Sequence, residues 1–245
     1  MKIGKWIALL AGMVVTHVMA EPIQVVTEES QFITVQNGRI GGAATEVVEL
    51  TLSRAGQTDY RIGLYPWARA YDIATNQPNV LIYLVARTPQ REPLFKWVGH
   101  VTSMQYYFYK LKSRTDIDPQ SLEDARQYSV GVMRDDFRHQ YLLHHGFSRL
   151  VISAGVEENF QKLINGQVQL APLTESSAAH ECARKHFDCT ELEQVAALGT
   201  IEAELYMAYS VATDDAVVES TRTAFGQLQQ EGVVDKIIGT LTNNH

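Results

Sequence analysis

Beyond residue 20, short apolar runs of two different periods alternate along the chain. Ile23–Thr27 predicts a short strand, followed by a polar loop through Asn37-Gly38. Val47, Val48, Leu50 and Leu52 fall at helical spacing within Ala43–Ala55, and Gly56 stands where a helix stops. Tyr60–Tyr65 predicts a strand, and Trp67–Ala74 a helix entered through Pro66. Val80–Val85 is almost unbroken apolar sequence, the pattern of a strand buried on both faces. This βαβαβ order predicts a parallel sheet flanked by helices.

The same grammar repeats further on. Ser121-Leu122-Glu123-Asp124 opens a short helix, and Tyr128–Met133 predicts a strand. Phe137–His145 predicts a helix stopped by Gly146. A strand at Val151–Ser153, a helix at Glu157–Asn165 stopped by Gly166 and a strand at Val168–Leu173 follow. Gln105–Lys112 and Leu205–Val211 are strongly β-prone and predict two crossings between the halves. Asp214–Leu241 predicts a helical pair packed back on the first half. The expected organisation is a discontinuous first lobe, residues 21–110 and 206–245, and a second lobe, residues 111–205.

The first twenty residues read differently. Lys2 and Lys5 precede an apolar stretch, Trp6–Val15, and Val18-Met19-Ala20 suits cleavage after Ala20; this is the pattern of a signal peptide. Export to the periplasm is the expectation. Losing Lys2 and Lys5 takes the formal net charge from −7 to −9, and such a field repels phosphate, so nucleic acid is an expected non-partner. The sequence has two cysteines, Cys182 and Cys189. In an oxidising compartment they are expected to pair. Seven residues of unbroken helix would hold their Cα atoms about 10 Å apart, too far for a disulfide, so the helix must end between them, near Lys185 or His186.

Several motifs resemble the periplasmic solute-binding proteins of family 3, the amino-acid-binding type that serves ABC transporters, and within it a divergent proteobacterial subgroup. They are Leu64-Tyr65-Pro66-Trp67-Ala68-Arg69-Ala70-Tyr71, Pro78–Tyr83, Ala86–Glu92, Leu94–Gly99, Ser121–Asp124 and Glu231-Gly232. The resemblance spans essentially the whole chain after residue 20. It implies an α/β fold of two lobes (type II), each a mainly parallel sheet flanked by helices, joined by two crossing strands. It further implies capture of a small polar, amino-acid-like or carboxylate ligand in the cleft, without chemistry and without a cofactor. An inner-membrane ABC permease is the implied partner, with a membrane sensor as the alternative, and the implied state is a monomer.

The resemblance also nominates residues. Arg91, three positions after Thr88, has the spacing of a carboxylate clamp, a task suited to the two parallel donors of a guanidinium. Arg87 either contacts the ligand or braces the lobe through an ion pair. Trp67 matches an aromatic wall, or else a core aromatic, and Arg69 and Tyr71 flank it. Glu28 matches an acid that reads the ligand's distal group, with Glu29 and Phe32 close by. From the second lobe come Arg134, with Asp135 and Asp136 beside it, and Glu175. Three departures stand out: Leu84, Val85 and Ala86 occupy places usually held by small hydroxyl residues, Thr174 stands where an Asp is usual, and Gln169 likewise.

His180, Cys182, His186 and Cys189 match no common zinc spacing, and no metal is expected. His139, His144 and His145 read as a solvated helix end. Glu28 or Glu175 as a general acid would make the protein an enzyme on the same fold, the least favoured reading.

Overall fold

A computed structural model of the protein describes residues 21–199 and 203–240. The expected signal peptide, residues 1–20, lies outside the described residues. The chain runs through β1 (Ile23–Thr27), a hairpin of β2 (Thr34–Gln36) and β3 (Arg39–Gly41), α1 (Ala43–Arg54), β4 (Tyr60–Leu64), α2 (Trp67–Asn76), β5 (Val80–Ala86) and β6 (Phe95–Met104). It then crosses to β7 (Tyr107–Leu111), α3 (Leu122–Ala125), β8 (Val130–Met133), α4 (Phe137–His144), β9 (Leu150–Ser153), α5 (Val156–Ile164), β10 (Ala171–Leu173), α6 (Glu175–Lys185) and β11 (Leu192–Ala197). It returns through β12 (Ala203–Ser210) and ends in α7 (Asp215–Gln230) and α8 (Val233–Gly239).

Two lobes result. The first is built on a five-stranded sheet of order β4-β1-β5-β12-β6, in which β4, β1 and β5 are parallel and β12 runs antiparallel to both of its neighbours, β5 and β6. Strand alternation sends Val25, Leu81 and Tyr83 to one face, against α1, α7 and α8, where Val48, Leu52, Phe225 and Leu228 close a core. Val26, Ile82 and Val85 go to the other face, against Trp67, Ala70 and Ile73 of α2. Full burial of Val80–Tyr83 on both faces is what their unbroken apolar run required.

In the second lobe β7 lies antiparallel between β10 and β11, and β8 pairs with β9 in parallel, a bridge from Val130 to Leu170 linking the two sets. Its cores gather Phe108, Val132 and Leu142 on one side and Phe160, Leu163 and Leu173 on the other. The chain passes from the first sheet to the second between β6 and β7, through residues 105–106, and returns between β11 and β12. There Leu198 N–H donates to the Tyr106 carbonyl at 2.9 Å, tying the two crossing segments together.

The expected loop through Asn37-Gly38 is a hairpin instead. Both residues have positive φ, 52° and 77°, the requirement of the tight turn that Asn-Gly favours. Its strand β2 is exposed throughout, so no apolar alternation announced it. The cysteine pair behaves as expected. Cys182 and Cys189 are joined with Cα atoms 5.5 Å apart, and α6 stops at Lys185 because His186 takes the left-handed conformation. The bond consumes both thiols that the zinc alternative would have used.

Candidate functional site

The carboxyl ends of β1 and β5 and the end of β8 open onto one cleft between the lobes, where open α/β sheets place their ligands. Glu28 follows β1 directly, and the loop after it brings Phe32. Trp67 begins α2 behind Pro66, whose fixed φ suits a helix start. Arg91 sits in the turn after β5, where its N–H reaches the Thr88 carbonyl at 3.0 Å. The opposite wall is Met133, Asp136, Arg138 and Thr174, with Tyr106 from the crossing segment.

Local backbone explains why lobe 2 presents these groups. Asp135 has φ 57°, turning the chain sharply after β8. Asp136 then caps α4, its Oδ1 accepting from Arg138 N–H at 2.9 Å and from Arg138 Nε at 2.5 Å. Arg138 also donates from Nη1 to the Pro172 carbonyl at 3.3 Å and stacks over Tyr106 at 4.9 Å. Burial works against its charge, but Asp136 and Tyr106 more than offset this and hold the guanidinium above its ordinary value. Thr174 caps α6 in the same way, accepting from Ser177 N–H.

Arg91 is 1 % exposed. Its guanidinium lies over Trp67 at 5.2 Å and Tyr71 at 4.9 Å. Nη1 donates to the Ala86 carbonyl at 3.3 Å and Nη2 to the Asp135 carbonyl of the other lobe at 2.9 Å. Burial lowers its pKa from the ordinary value against the pull of Asp136. Trp67 Nε1 donates to the same Asp135 carbonyl, also at 2.9 Å.

Glu28 keeps part of its surface open to the cleft while the surrounding protein shuts out bulk water. This loss of solvation, with Asp136 nearby, raises its carboxyl to about 8, against the pull of Arg138 and Arg91. Burial pushes the Tyr106 phenol up to about 12. Leu84 also faces the cleft. It sits at a bulge, because Tyr206 pairs with Val85 and Met207 with Tyr83, and its φ is 61°.

Of the nominated residues, Glu28, Phe32, Trp67 and Arg91 meet in the cleft, together with the alternatives Glu29 and Asp136, whereas Arg87, Arg69, Arg134 and Glu175 do not line it. Arg87 forms a two-pronged ion pair with Glu92, at 2.8 and 2.7 Å, and lies over Trp97 and Tyr206. It braces the lobe. Arg69 lies over Tyr65, and the exposed Arg134 and Glu175 are not among the cleft-lining residues. Asp136, Arg138 and Thr174 take the places expected of Arg134 and Glu175. The missed signal was the Asp136-Phe137-Arg138 helix start, in which a capping acid points its own arginine inward.

Neither a family model nor a curated relative matches the sequence. Solved structures match closely in shape. The sensor domain of a histidine kinase with similarity to periplasmic binding proteins superposes with a TM-score of 0.78 at 16% identity, over 91% of this chain and 96% of that one. The arginine-, lysine-, histidine-binding protein ArtJ of Geobacillus stearothermophilus gives 0.76 at 12% identity, over 90% and 95%. A mutant of the arginine-binding protein ArgBP of T. maritima gives 0.74 at 16% identity, over 91% and 95%. The fold is that of the two-lobed periplasmic binding proteins. Among the described residues no helix is long and apolar enough to cross a membrane, and no three His, Cys, Asp or Glu residues gather as a metal site.

Proposed function

We propose that this chain is an exported solute-binding protein that captures a small polar molecule, an amino acid or a related carboxylate, and delivers it to an ABC permease. One observation carries this reading: a single interlobe cleft joins an acid, Glu28, and an aromatic wall, Trp67 and Phe32, from one lobe to a buried arginine, Arg138, from the other. A zwitterion needs an acid for its ammonium and a guanidinium for its carboxylate. The arginine- and amino-acid-binding names of several neighbours support the choice of ligand class. A sensor role is the second reading, favoured by the superposition on the kinase sensor domain.

The test is thermal unfolding of the purified chain against amino acids, organic acids, polyamines and short peptides. A ligand at a hundred times its dissociation constant adds about 2.7 kcal/mol, which raises the midpoint by several degrees. A saturable shift that is lost in Glu28→Ala and Arg138→Ala identifies the solute class. No shift with any compound removes the capture reading.

A further inference from the structure

The cleft continues outward from the residues around Arg138. A second space, about 410 Å³, lies between Leu64, Tyr65 and Pro66 of lobe 1 and residues 154–158 at the start of α5 in lobe 2. The inner cavity beside Arg138 is about 70 Å³. Glu28, Glu29 and Val156 line both spaces, so one path leads from Arg138 past two carboxylates to the outer chamber. A further space, about 290 Å³, lies beside Arg87 and Tyr141. The rings of Tyr106 and Phe137, edge to face at 5.3 Å, line both it and the inner cavity and stand between them.

The outer chamber has a fixed and largely apolar wall. The Tyr65 ring lies against Gly63, where an added Cβ would come within 2.5 Å of it, and Arg69 covers the ring at 5.4 Å. Leu64, Pro66 and Val156 add surface with no hydrogen-bonding group in the side chain. The carboxylates at the rim are already matched. Glu157 pairs with Arg184 at 3.1 Å and with Lys185, and Glu158 accepts from Lys162 at 2.9 Å and from Ala154 N–H at 2.8 Å. An uncharged side chain suits this chamber, while the junction presents Glu28 for an ammonium, which favours the charged form of a carboxyl beside it.

We propose that the cleft is built for a solute of two units, a dipeptide whose carboxylate meets Arg138, whose ammonium meets Glu28 and Glu29, and whose apolar first side chain lies in the outer chamber. This rests on the capture reading and narrows its solute class. Val156 and Gly155 are then specificity-determining positions, since they form the lobe 2 side of the chamber.

Calorimetric titration of the purified chain with alanine, glycyl-alanine, leucyl-alanine, N-acetyl-leucyl-alanine and lysyl-alanine tests the assignment. Leucyl-alanine should bind about 10-fold tighter than glycyl-alanine or alanine, the gain from partly burying one leucine side chain. Acetylation, which removes the ammonium, should cost about 10-fold or more. Gly155 has extended backbone, φ −158°, and an added Cβ there meets nothing within 4 Å, so Gly155→Leu fills space without straining the chain. It should bring the leucyl-to-glycyl ratio close to one. Val156→Asp places a charge in the chamber at the first turn of α5, where helices favour acids, and should turn the preference from leucyl- to lysyl-alanine. A leucyl-to-glycyl ratio near one in the parent, or preferences unchanged in both variants, overturns the proposal. If alanine binds and no dipeptide does, the two-unit solute is lost and capture stands. If nothing in the wider set of amino acids, organic acids, polyamines and peptides binds, capture is lost and the two-unit solute with it.

Discussion

At the scale of single residues, the cleft holds two groups in costly states, Glu28 and Leu84. Burial beside Asp136 raises Glu28 to about 8 from an ordinary 4.5, so its carboxyl is mostly protonated in the folded chain at neutral pH. The sign follows from linkage. A raised folded pKa means that the native state is favoured fully below pH 4.5 and loses that advantage as pH rises through about 8. Glu28→Gln cannot ionise. Its stability relative to the parent should therefore climb between these limits and level off above them, by more than about 1 kcal/mol after allowing for its opening to the cavity. Urea titrations at several pH values check this, and a flat difference would refute it. Leu84 carries the left-handed cost of about 1–2 kcal/mol. Leu84→Gly should lose well under the 2–5 kcal/mol of an ordinary leucine truncation, while Leu84→Val, β-branched at positive φ, should lose more than the glycine variant. Denaturant midpoints of the two variants decide the order.

At the scale of elements, the disulfide ties the end of α6 to the turn before β11, its partners standing seven positions apart. Closing so short a loop is worth about 2–3 kcal/mol in the chain-entropy account. The double variant Cys182→Ala, Cys189→Ala should lose about that much in denaturant unfolding, with the cleft geometry unchanged. A loss below about 0.5 kcal/mol would mean that reduced α6 already stops at His186 without help. Most elements were legible in the sequence because apolar period 3.6 or 2 and the stops at Gly56, Gly146 and Gly166 agree with each other. The β2–β3 hairpin was not, since its first strand buries nothing. The site was legible on one side only. Glu28, Trp67 and Arg91 ride on motifs tied to strand and helix ends, whereas the lobe 2 wall depends on the left-handed turn at Asp135, a residue type that tolerates this conformation but far more often takes others. That turn carries the chain past Arg134 and into the Asp136 cap, bringing Arg138 inward.

At the scale of the whole molecule, lobe 1 is assembled from both ends of the chain. β12 is the strand between β5 and β6, and Phe225, Leu228, Val234 and Ile238 complete its core. Ending the chain at residue 212 should therefore strip hydrogen-exchange protection from β1 and β5 while β8 and β10 keep theirs. Equal loss in both lobes would show that lobe 2 has no independent stability. The same arrangement sets an order in time. A nascent chain has all of lobe 2, with both cysteines, behind it by residue 197, and it still lacks the strand that joins β5 to β6. Lobe 1 must wait, its sheet split and its apolar edges open, until the last forty residues emerge. For that interval the unfinished half is the part of the molecule in need of a chaperone, and a stop codon near the end of the message would do its damage near the beginning of the fold.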